Sequence, residues 1–175
     1  MAKSTYVKTM MMGAISAIDA TSVTPLSYTA TFDNGDFSID GLVEGLREIV
    51  AAERKGNLCG LSYGARIYPT FSFTAKVAQF TDVTSGTLTD FIMRTSGSEY
   101  AAAVSTSGTG RPYTTTWTYT IAAAAEFGDD ADHTFTLEDV RITANFAEGE
   151  TDTISVSGIV YGAITGDIAQ VEKTN

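Results

Sequence analysis

In "YTTTWTYTI", residues 113–121, the side chains alternate with a period of two. An extended strand places Tyr113, Thr115, Trp117, Tyr119 and Ile121 on one face and Thr114, Thr116, Thr118 and Thr120 on the other. The face with the aromatic rings is expected to point inward and the threonines outward. "ARIYPTFSFTAKVAQF" repeats the pattern, with Phe71, Phe73, Ala75 and Val77 opposite Thr70, Ser72, Thr74 and Lys76. Pro69 has no N–H for a ladder, so it belongs at a strand start, an edge or a bulge. "EYAAAVST", "HTFTLEDVRITANF" and "DTISVSGIVYGAI" read as three further strands, separated by the turn formers of "SGTGRP" and "AEGETD".

"PLSYTATFDNGDFSID" carries a hairpin pattern. Leu26, Tyr28, Ala30 and Phe32 alternate before Asn34-Gly35, the favoured pair for a type I′ turn, and Phe37 and Ile39 resume the alternation afterwards. The period then changes. In "DGLVEGLREIVAAERKGN", Leu42, Val43, Leu46, Ile49 and Val50 recur at three- and four-residue steps. Asp40 can cap the start, Arg54 and Lys55 suit the last turn, and Gly56 can close it, so the spacing predicts a helix over about residues 41–55. A second, shorter helix is predicted in "TLTDFIMRT", where Thr87 and Asp90 have capping-box spacing. The fold class is therefore α+β and mainly β: an antiparallel β-sandwich or curled sheet flanked by one α-helix. Residues 1–12 lack periodicity and read as an N-terminal arm, with 13–175 as a single β-rich domain.

Chemistry-bearing motifs are few. "CGLSYGA", residues 59–65, contains the G-x-S-x-G pattern of a serine-hydrolase elbow around Ser62. That elbow needs a strand before the serine and a helix after it. Here the predicted order is the reverse, and His133 lies in the polar "GDDADHTF" with no visible companions. A glycine-rich turn between helix and strand is the expected role. Asp129, Asp130, Asp132 and His133 cluster, but the glycine and glutamate positions of a calcium loop are not met, so a solvated acidic turn is expected. No catalytic residue, cofactor site or metal site is assigned. Cys59 is the only cysteine, which excludes an intrachain disulfide, and it reads as a small buried hydrophobe.

The net charge of −10 opposes tight binding to nucleic acid or to an anionic membrane. It is compatible with a surface past which DNA slides. "YVKTMMMGAISAIDA" is interrupted by Gly13 and Ser16 and ends at Asp19, so it does not make a signal peptide, and no apolar run reaches membrane-spanning length. What remains is a strand-rich acidic body whose edges and arm offer pairing to copies of itself.

"YPTFSFTAKVAQFTD", "GTLTDFI", "YTTTWTYTI" and above all "FTLEDVRITANFAEGETDTISVSGIVYGAITG" resemble the tail tube (major tail) proteins of long-tailed bacteriophages over about residues 65–166. The resemblance implies a structural virion protein and not an enzyme. Six copies would form a ring, and rings would stack into a tail tube in the virion, made and assembled in the host cytoplasm. Its channel, lined by acidic groups, would pass DNA during ejection without sequence-specific binding. Other implied partners are the tape-measure protein, the tail terminator and the tail tip proteins, with no membrane binding. Candidates for assembly or for the lumen are Phe71, Phe73, Thr114, Thr116, Thr118, Glu148 and Glu150. A head–tail joining or capsid decoration protein is the structural alternative, and a small hydrolase using Ser62 the enzymatic one.

Overall fold

The computed structural model describes residues 13–30, 37–42, 47–77, 79–82, 84, 86–122, 131–149 and 152–166. Among the described residues ten strands carry the architecture: β1 (Ala14–Ile18), β2 (Ser27–Ala30), β3 (Ser38–Asp40), β4 (Arg47–Arg54), β5 (Asn57–Arg66), β6 (Thr70–Lys76), β7 (Thr115–Ile121), β8 (His133–Ala147), β9 (Thr153–Val160) and β10 (Ile164–Thr165). Eight of them form one antiparallel sheet in the order β2-β1-β7-β8-β9-β6-β3, with β10 added to β8. The other two, β4 and β5, make a separate two-stranded sheet.

The main sheet is curled. From β7 to β6 it takes three strand spacings, about 14 Å if the sheet were flat. Yet the Trp117 ring of β7 lies 5.6 Å from that of Phe71 and 5.8 Å from that of Phe73, both on β6. Phe37, just before β3, stacks on Tyr119 of β7 at 4.0 Å. The sheet therefore folds its aromatic face onto itself. The core holds Ile15, Ala17, Phe71, Phe73, Ala75, Trp117, Leu137, Val140, Ile154, Val156 and Val160, all buried. The expected alternation of β6 and β7 is what fills it. Trp117 donates its indole N–H to the buried Thr115 hydroxyl at 2.8 Å, which satisfies both polar groups. Gly158 faces Phe71 across the β6–β9 ladder, and a Cβ there would lie 2.5 Å from the ring.

A short helix, α1 (Leu88–Met93), closes the core with Leu88 and Phe91. Its capping box is formed: the Thr87 side chain accepts from the Asp90 N–H at 3.2 Å, and Asp90 accepts from the Thr87 N–H at the same distance. A 3-10 turn, Glu99–Ala102, follows, and its Tyr100 packs edge-on against Phe91.

Several expectations are corrected. Residues 47–54 of the predicted helix over 41–55 are strand β4, paired with β5 from Arg47↔Arg66 to Arg54↔Asn57. The turn between them is Lys55-Gly56, with φ of 52° and 77°. A glycine that ends a helix and a glycine that turns a hairpin answer the same need for positive φ, so the local pattern fits both. "CGLSYGA" is not a turn, because it lies inside β5, and Cys59 is exposed instead of buried. "EYAAAVST" supplies the 3-10 turn and not a strand: its alanines have little strand preference, and the buried Tyr100 fixes the turn by donating to the Ser27 carbonyl at 3.1 Å. Ser27–Ala30 and Ser38–Asp40 are strands, but among the described residues they pair with β1 and β6 at opposite ends of the order. Asn34-Gly35 and the arm at 1–12 lie outside the described residues.

Candidate assembly surface

The β4–β5 hairpin presents both of its faces to solvent. Register puts Ile49 opposite Tyr63 and Ala51 opposite Leu61, so these four side chains share one face. Ile49 and Leu61 are each 65 % exposed and Tyr63 is 76 % exposed. The other face carries Val50, Ala52, Gly60, Ser62 and Gly64. Gly64 packs close to the opposite strand, since a Cβ there would lie 2.9 Å from the Val50 methyl. An isolated two-stranded hairpin is marginal in water, and an apolar face left wet adds to the cost. Composition sets this element apart as well: residues 47–66 carry the bases Arg47, Arg54, Lys55 and Arg66 against Glu48 and Glu53, in a chain of net charge −10.

Among the described residues Ser62 has none of the surroundings of a nucleophile. It sits in mid-strand, exposed, with its hydroxyl 3.5 Å from the Val50 carbonyl, while His133 opens β8 in the other sheet. Among the described residues no group of three or more His, Cys, Asp or Glu could hold a metal ion.

The outer face of the main sheet is covered by hydroxyls. Pairing aligns Thr29, Ser16, Thr118, Thr136 and Thr165 in one row across β2, β1, β7, β8 and β10. A second row, Thr143, Ser157, Ser72 and Ser38, crosses β8, β9, β6 and β3. Neighbours in that row bond at 2.8 Å (Thr143 with Ser157) and 2.9 Å (Ser38 with Ser72). Exposed carboxylates are found instead at strand ends and turns, among them Asp132 and Glu148, with Glu138 within β8.

The candidate residues fall into different places. Phe71 and Phe73, each 2 % exposed, are core side chains of this chain. Thr114 is buried, and its hydroxyl bonds Thr106 and accepts from the Ser107 N–H at 3.0 Å. Thr116 and Thr118 are half-buried on the outer face, and Glu148 is exposed in the turn after β8. Glu150 lies outside the described residues. The hairpin side chains Ile49, Leu61 and Tyr63 were not among the candidates. Lys-Gly between two apolar runs was the signal that could have found them.

Two buried carboxylates hold the frame. Asp19, 4 % exposed, accepts from the N–H groups of Leu26 at 2.6 Å and Val104 at 2.9 Å and from the Thr21 hydroxyl. Burial alone would raise its pKa, but these hydrogen bonds outweigh it and hold the carboxyl below the usual aspartate value. Asp90 is fully buried, and its Oδ2 accepts from the N–H groups of Asp82 at 2.9 Å and Thr87 at 3.2 Å. Burial again pushes upward, and the hydrogen bonds again keep its pKa low.

No protein-family model matches the sequence, and no curated protein matches it. Solved structures share the fold over almost the whole chain. One is a chain of the PVC sheath–tube complex of an extracellular contractile injection system in its extended state, with a TM-score of 0.50, 9 % identity, and coverage of 93 % of this chain and 92 % of that one. Another is a chain of the anti-feeding prophage tube-terminating cap, with a TM-score of 0.50, 11 % identity, and coverage of 97 % and 95 %. At such identities the likeness is one of fold. The architecture is tail-tube-like, as the resemblance in the sequence implies.

Proposed function

We propose that this chain is a structural subunit that binds copies of itself in rings, stacked as the tube of a phage-type tail. The observation that carries the reading is the β4–β5 hairpin, whose apolar face of Ile49, Ala51, Leu61 and Tyr63 is exposed and has no cover among the described residues. Burial would stabilise association by about 1.5–3 kcal/mol for each large side chain. A hairpin that packs on a different surface of its neighbour makes a heterologous contact, which closes into a ring or runs on as a tube. Six-membered rings and a DNA-conducting channel belong to the same proposal. Hydroxyl rows would give DNA a wall with few cationic holds, and acidic turns such as that of Glu148 would repel phosphates.

Electron microscopy of the concentrated protein tests this, with hollow tubes or rings expected. Leu61→Thr combined with Tyr63→Thr should abolish them while leaving the unfolding free energy of the monomer within about 0.5 kcal/mol. Cys59 gives an independent readout, because this exposed thiol on β5 should lose reactivity toward maleimide on assembly. A protein that stays monomeric at every concentration and binds only to capsids would instead be a decoration or joining protein.

A further inference from the structure

A cavity of about 400 Å³ opens where β7 leaves the side of β8. Phe91, Val140 and Ile142 give it an apolar floor, and Arg94, Tyr113 and Arg141 line it as well. Arg94 is the C-cap of α1 and adopts the left-handed conformation, φ 51° and ψ 52°, where glycine or asparagine is usual. For a residue with a Cβ that conformation costs about 1–2 kcal/mol. Its guanidinium lies over the Tyr113 ring, 4.3 Å from the centroid, which fixes the charge at the cavity. Arg141 reaches the same place through an irregularity in β8. Thr115 pairs with Val140 and Trp117 with Leu137, so two residues of β8 oppose one of β7, and Asp139 takes a positive φ of 50°. The bulge returns Val140 to the core and turns Arg141 outward.

Neither guanidinium forms an ion pair among the described residues. In a chain with 21 acidic and 11 basic residues, two arginines at one cavity, paired with no carboxylate among the described residues, form a site with a defined complement. Planar guanidinium groups match a carboxylate, and the apolar floor matches the methylenes of its stem. We propose that this cavity seats an acidic side chain of a second copy of the chain, held between Arg94 and Arg141. The proposal rests on the self-assembly reading and names one of the contacts that reading requires.

Arg94→Lys and Arg141→Lys keep the charge and supply an amine. Copies labelled with ¹⁴N and ¹⁵N are mixed, assembled and treated with a carbodiimide, which joins an amine to a carboxylate in direct contact. Mixed-isotope cross-links from position 94 or 141 are expected. Cross-links confined to one chain, or absent from assembled particles, would overturn the proposal. The double variant Arg94→Gln/Arg141→Gln should raise the concentration needed for assembly about tenfold or more, and unchanged assembly would overturn the seat while leaving the assembly reading intact. The site is also read without assembly. In the Leu61→Thr/Tyr63→Thr monomer, N-acetylglutamate amide should shift the NMR signals of both arginine Nε–H groups saturably, and N-acetylglutamine amide should not. Equal behaviour of the two would sink the carboxylate seat. Binding of the glutamate compound together with a wild-type chain that forms no assemblies at any concentration would sink the second copy as its occupant.

Discussion

Asp19 ties the end of β1 to two loops through a single carboxylate. Its pKa is lowered by folding, so its contribution is complete above the unfolded aspartate value of about 3.9 and is lost as the pH falls below it. Asp90 acts in the same direction. Equilibrium unfolding followed by Trp117 fluorescence should therefore show a flat stability near neutrality and a decline in acid. Asp19→Asn should lower the neutral value by about 1–3 kcal/mol and make the acid decline shallower. Gly158 is the steric counterpart. A methyl there meets Phe71 and Val140, and Gly158→Ala should cost about 1–3 kcal/mol in the same measurement. Neither residue was legible beforehand. Asp19 looked like the end of a broken apolar run, and Gly158 like one more glycine in a chain with 16 of them.

At the scale of elements, β6, β7, β8 and β9 were readable because each is half-buried, and half-burial writes itself as alternation. α1 was readable because its cap lies wholly within six residues. β4 and β5 were not, since "REIVAAER" is made of good helix formers and its pairing is decided by a ladder that a helical reading does not consider. The hairpin should behave as the least stable unit of the isolated chain. In hydrogen exchange its amides are expected to exchange well before those of the β8–β9 ladder, and to gain protection on assembly. Slow exchange of β4 and β5 in the monomer would show that the hairpin is already covered.

For the molecule as a whole, the curl of the sheet was the part least open to sequence reasoning. The alternation of "YTTTWTYTI" names two faces but is silent on which distant strand an aromatic face will meet. That β6 and β7 pack ring to ring across three strand spacings follows from side-chain volume and sheet twist acting together. The candidate site was legible to a smaller extent still. Threonines 116 and 118 do lie on the outer face, whereas Phe71 and Phe73 are consumed by the core. The proposed function by assembly would leave little local trace, because its groups need only exposure and complementarity and no fixed spacing along the chain.

The bulge at Glu138-Asp139 has a consequence in parity. Before it, the odd-numbered Leu137 points into the core; after it, the even-numbered Val140 does. Pairing the same residues without the bulge would exchange inside and outside for everything downstream in the strand, turning Arg141 into the core and Val140 to water, and a one-residue deletion beyond the bulge would flip the residues that follow it, much as a lost base shifts a reading frame. The far end of β8 therefore tolerates changes of residue more readily than changes of length.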